Sequence, residues 1–149
     1  MIRSAKITDA KSIQGLVNSY AKNGEMLFLS LSEVYEKIFE FEVYEKDGEI
    51  LGCCALHPSW EDLAEIRSIA IREDYIGKGI GKSLIESAIN RAKKLGIKKV
   101  FALTYKLDFF QKLGFTEVSK DTLPKKIWSD CLKCPLFPDC NEIAVIKEI

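Results

Sequence analysis

Hydrophobic and polar positions alternate over residues 2–7, IRSAKI, as in a short strand. Helical spacing follows. Thr8 can cap a helix running through about Ala21, with Ile13, Leu16, Val17 and Tyr20 on one face and Asn23-Gly24 as its stop. Ser30 and Glu33 in SLSE form a capping box for a second helix carrying Val34, Ile38 and Phe41. Residues 41–56, FEVYEKDGEILGCCAL, read as two strands joined at Asp47-Gly48. LAEIRSIAI (63–71) is a further strand.

From Ile80 the apolar residues Leu84, Ile85, Ala88, Ile89, Ala92 and Leu95 recur at helical spacing. Lys93 and Lys94 suit the last turn, and Gly96 supplies the stop. KKVFALTY (98–105) is a strand, and DFFQKL (108–113) is a short helix ended by Gly114. Two strands close the chain, of which the pattern delimits EIAVIKEI (142–149). No repeat or linker interrupts this order, which predicts one mixed α/β domain over residues 1–149.

Composition narrows the function. Among 149 residues, 47% are hydrophobic, enough for a proper core. Lys plus Arg and Asp plus Glu number 22 each, so no basic excess points to nucleic acid. No apolar run approaches the roughly 20 residues that span a bilayer. The opening MIRSAKITDA lacks the apolar stretch of a signal peptide, and a cytoplasmic location is expected. The cysteines are Cys53, Cys54, Cys131, Cys134 and Cys140, an odd set that argues for thiols or a metal rather than a disulfide framework.

Three glycines, Gly77, Gly79 and Gly81, stand two apart between the strand at 63–71 and the helix from Ile80. A Walker A loop would need glycine at position 76, which is Ile76. The dinucleotide fingerprint would need one at position 82, which is Lys82. Two readings remain. The glycines relieve sterics in a turn, or they open a backbone cradle at a helix start, where N–H groups and the helix dipole attract an anion. Lys78 and Lys82 add positive charge to that cradle.

The segment IRSIAIREDYIGKGIGKSLIESA resembles the acetyl-coenzyme A binding motif of the GCN5-related N-acetyltransferases, and FFQKLGF (109–115) resembles that family's second motif. GCCALHPSWEDLAEIRSIAI, VFALTY and LPKKIWSDCLKCPLFPDC further resemble its short N-acetylglutamate synthase-like members, which are associated with the first step of arginine biosynthesis. The resemblance implies a mixed, mostly antiparallel sheet with helices on both faces and a splay between its fourth and fifth strands. It implies acetyl-CoA as co-substrate, its pyrophosphate held by main-chain N–H groups of Gly77, Lys78, Gly79, Ile80, Gly81 and Lys82. The pantetheine arm would run along Ile69, Ala70 and Ile71, with Phe110 rather than Phe109 on its far side. Ile76 stands where the family usually has Arg or Gln.

Acetyl transfer to an amine needs a base, an oxyanion donor and management of the leaving thiolate. Glu65 is the candidate base, since alternation puts Glu65 and Arg67 on one strand face with Ile69 and Ile71, and charge rarely belongs on a buried strand without a task. The resemblance also places an acid there, acting through water. A surface Glu65–Arg67 pair is the structural alternative. The Ile69 N–H is the expected oxyanion donor. Phe110 lacks the hydroxyl that many relatives carry, so Tyr105 is the candidate acid, with direct thiolate departure as the alternative.

The expected partner is a small amine, with glutamate first, and with a homodimer left open. Two carboxylates need cations, and Arg67 and Lys106 are the candidates, with Lys125 and Lys126 also available. Where relatives often carry an arginine between the first two helices, this chain has Phe28 and Leu29, which suits a different amino acid or amine, and acetylation of a peptide N-terminus shares the same motifs. A non-catalytic acyl-CoA sensor is a further alternative. Cys131, Cys134 and Cys140 lack the usual second cysteine pair for zinc, so thiols rather than a metal are expected. His57 is expected at a strand end near the mouth.

Overall fold

The computed structural model describes residues 1–26, 28–123 and 142–149. Its strands are β1 (Ile2–Ser4), β2 (Phe41–Lys46), β3 (Glu49–Trp60), β4 (Leu63–Ile71), β5 (Lys99–Thr104), β6 (Thr116–Val118) and β7 (Ile143–Glu148). Its α-helices are α1 (Ala10–Ala21), α2 (Leu31–Glu36), α3 (Ile80–Lys94) and α4 (Leu107–Lys112). Among the described residues the strands form one seven-stranded sheet in the order β1-β2-β3-β4-β5-β7-β6. Every pairing is antiparallel except β4 with β5.

The chain starts differently from its pattern. The first strand ends at Ser4, and a 3-10 turn at Ile7–Asp9 precedes α1. Thr8 is not the cap. Asp9 accepts from the Lys6 N–H at 2.7 Å and pairs with the Arg3 guanidinium at 2.7 Å, which secures that turn. The Ser30–Glu33 box forms, with the Glu33 N–H donating to Ser30 Oγ at 3.1 Å. The helix it starts stops at Glu36, and Phe41 enters β2 instead. Val34, Ile38 and Phe41 nevertheless bury themselves in one cluster, so the apolar spacing served the core without a continuous helix.

Two apolar layers sandwich the sheet. Ile80, Leu84, Ile85, Ala88, Ile89 and Ala92 of α3 pack with Cys54, Leu56 and Ile66 on one face. Ile13 and Val17 of α1 and Val34 of α2 pack with Val43, Cys53, Ala55 and Ala70 on the other. Helices therefore cover both faces, as the resemblance implies.

Two irregularities shape the centre. The β4–β5 ladder holds three pairs, Leu63 with Lys99, Ala64 with Val100 and Glu65 with Phe101, and then the strands part. Opposite β3, Cys53 faces Ala70 and Ala55 faces Arg67, which leaves Ser68 and Ile69 against Cys54 alone. This is a β-bulge, with Ser68 at φ 52. An inserted residue reverses the alternation beyond it. Glu65 and Arg67 share the face of Ala55 and Ala70, whereas Ile69 and Ile71 pack with the α3 layer. The expectation that all four share a face is thus corrected.

Candidate functional site

The glycine segment follows a 3-10 turn at Glu73–Tyr75 and leads into α3. Gly77 and Gly79 both have φ 84, a left-handed conformation that costs an L side chain about 1–2 kcal/mol. Gly79 is the N-cap, and the first helical hydrogen bond runs from the Ser83 N–H to the Gly79 carbonyl at 3.1 Å. The N–H groups of Ile80, Gly81 and Lys82 precede that bond and have no partner within the helix. They add to the positive end of the helix dipole. Gly81 serves packing instead, since a Cβ there would sit 3.2 Å from the Phe109 ring. Nearby, Lys78 Nζ lies 4.9 Å from the centre of the Tyr75 ring and the Arg72 guanidinium 5.4 Å.

A cavity of about 950 Å³ starts at this loop, passes between the parted β4 and β5, and ends against the turn between α1 and α2. Gly77, Gly79, Ile80, Gly81 and Lys82 line one end, and Ile69 and Ile71 line its length. Tyr105, Lys106, Glu65 and Arg67 line it where the strands separate. Two of the expected residues turn their side chains away from the cavity. The Ala70 side chain is buried on the opposite face, and Lys78 sits against Tyr75. Both phenylalanines line the cavity, but Phe110 is only 2% exposed and stacks edge-on with Phe109 and Phe115. Phe109, the one expected to be core, closes over Gly81.

Glu65 is 7% exposed and its Oε1 accepts from Arg67 Nε at 2.6 Å. Glu65 is therefore buried in the cavity wall, with the partly exposed Arg67 beside it. Tyr105 is 38% exposed at the rim. His57 is not at a strand end, because β3 continues to Trp60. It stands directly across the ladder from Glu65, and its Nδ1 lies 3.0 Å from Glu40 Oε2.

Three contacts escaped the sequence. The Tyr20 hydroxyl donates to the Ile71 carbonyl at 2.5 Å and ties α1 to the cavity strand. Burial, with Glu73 and Glu25 nearby, pushes that phenol's pKa up. Asn18 clasps the backbone of Leu29 twice, at 3.0 and 3.1 Å, and Gln14 adds a third hydrogen bond at 3.3 Å. That clasp holds the α1–α2 turn, with Phe28 61% exposed in the cavity lining. Each joins residues far apart in sequence, so no local signal announces it.

Residues 18–115 match the model of the acetyltransferase (GNAT) family. The chain belongs to that family. It is 39% identical over 148 residues to an uncharacterized N-acetyltransferase of Chlorobaculum tepidum, covering 99% of this chain and 96% of that one. It is 34% identical over 134 residues to an amino-acid acetyltransferase of Mycobacterium tuberculosis, covering 87% of this chain and 76% of the relative. Among solved structures, N-acetylglutamate synthase from Neisseria gonorrhoeae, complexed with coenzyme A and N-acetyl-glutamate, superposes with a TM-score of 0.91 at 28% identity. That match covers 99% of this chain but 34% of the synthase.

This GNAT protein is an N-acetyltransferase with acetyl-CoA as co-substrate. The open cradle at Gly77 and Gly79 and the cavity alongside β4 fit that co-substrate's diphosphate and extended arm. Among the described residues no helix is long and apolar enough to cross a membrane, and no cluster of three metal-ligating side chains occurs. Lys125, Lys126, Cys131, Cys134 and Cys140 lie outside the described residues.

Proposed function

We propose that this acetyltransferase acylates the α-amine of a small amino acid, glutamate first, which would place it at the opening step of arginine biosynthesis. The carrying observation is the one cavity that joins the glycine loop to the buried Glu65 and its partner Arg67 through the parted strands. The amino-acid acetyltransferase relative supports the acceptor class.

In this reading the N–H groups from Gly77 to Lys82 hold the diphosphate, and β4 from Ile69 through Ala70 to Ile71 aligns the arm, with Phe110 and Phe109 behind it. The bulged Ile69 N–H stabilises the oxyanion. Glu65 removes the amine proton through water, and Tyr105 protonates the departing thiolate. Arg67 and Lys106 receive the acceptor's carboxylates.

A second reading, an amine or peptide N-terminus with an apolar side chain, is favoured by Phe28 and Leu29 in the cavity lining. A thiol-release assay with acetyl-CoA and a panel of amino acids, polyamines and short peptides separates the two. Release above the hydrolysis background with glutamate supports the first reading. Background rates for every acceptor overturn both.

A further inference from the structure

We infer that the Glu40–His57 pair is the proton outlet for Glu65, an inference that rests on amine transfer with Glu65 as base. The proton balance creates the need. An acceptor ammonium gives up one proton before attack. As the C–N bond forms and the C–S bond breaks, the remaining excess proton on nitrogen passes to the thiolate. Each turnover therefore releases one proton to solvent. Glu65, 7% exposed and bonded to Arg67, is poorly placed to deliver it unaided.

His57 is well placed. It is Glu65's direct partner on the antiparallel β3–β4 ladder, where facing Cβ atoms stand about 4.5–5.5 Å apart. Its side chain is 31% exposed, so it reaches water from its place opposite the buried carboxylate. Glu40 sets its chemistry. A carboxylate accepts from Nδ1, at 3.0 Å here, and leaves the neutral ring's lone pair on Nε2. Glu40 is itself held, because Arg91 of α3 donates to its carbonyl at 2.9 Å. Arg91 is fixed in turn beside Glu42, whose Oε1 lies 3.2 Å from its Nε and accepts from Ser87 Oγ at 2.8 Å. Among the described residues, Glu40 meets the ring and Glu65 stands opposite it, with Arg67 bonded to Glu65 and Lys37 further along the cavity that Glu40 lines. The proton passes from the ammonium to Glu65, then to Nε2 of His57, then to water. His57 and Glu40 are positioning residues that act through Glu65.

The full chain, assayed with the most active acceptor of the panel, tests this. His57→Gln and Glu40→Gln should each lower kcat by about a hundredfold and leave KM for acetyl-CoA unchanged. Added imidazole should restore His57→Ala in proportion to its concentration, which a purely structural role would not allow. A second measurement needs no acceptor. His57 is the chain's single histidine, so its ring gives one set of NMR resonances, and Glu65→Gln should displace them if the two side chains adjoin. Parental kcat in both glutamine variants, or ring resonances unmoved by Glu65→Gln, overturns the outlet. A parent silent with every acceptor while the ring resonances respond condemns the acceptor reading alone.

Discussion

A Cβ placed on Gly81 would lie 3.2 Å from the Cζ of Phe109. The third glycine of the loop is therefore small for the sake of a ring on α4, whereas the first two are glycine for their backbone angles. Gly81→Ala should push the ring into the cavity and weaken CoA binding about tenfold, equivalent to about 1.4 kcal/mol. Adding Phe109→Leu should recover most of the loss. Isothermal titration calorimetry with CoA reads both.

Gly79→Ala fails differently. The φ of 84 remains strained whatever the neighbours do, so the penalty of about 1–2 kcal/mol should survive the Phe109→Leu change. The same titrations compare the two double variants.

Glu65→Gln should lower kcat by about 10²–10⁴-fold while CoA still binds, because the carboxylate lies where the strands part and not at the cradle. Stopped-time thiol release gives the rate. An unchanged rate would remove Glu65 as the base.

Ser68 is a non-glycine residue at φ 52 in the bulge. A β-branched side chain tolerates that angle badly, so Ser68→Val should cost about 1–2 kcal/mol or more. Ser68→Gly should stay close to the parent. Urea denaturation decides.

The Arg3 guanidinium holds the Asp9 carboxyl below its ordinary pKa of 3.8, partly opposed by burial and aided by the Lys6 N–H. A carboxyl depressed on folding stabilises fully above its unfolded pKa and loses that contribution as pH falls through the folded one. Asp9→Asn should thus melt earlier than the parent at pH 7, and the gap should close on acidification below about pH 4. Thermal melts at stepped pH measure it.

The hairpin at Asp47-Gly48, the strand 63–71 and the helix from Ile80 were legible, because each repeats its apolar period long enough to outweigh local noise. The bulge was not. Alternation carried through Ser68 assigned Ile69 and Ile71 to the wrong face, and nothing in the letters RSIA marks an inserted residue. The glycine turn into α3 could be read because glycine spacing is local. Tyr20 on Ile71 and Glu40 on His57 depend on elements meeting across the fold, so only the folded chain brings them together.

Only three residue pairs stitch β4 to β5 before they separate. The two parts of the sheet thus share a short seam, and in the proposed function the co-substrate's arm takes the place of the missing rungs. Amide hydrogen exchange along the outer stretches of both strands should be fast in the free enzyme and slow sharply once CoA is added, so that the enzyme's rigidity tracks its fuel supply.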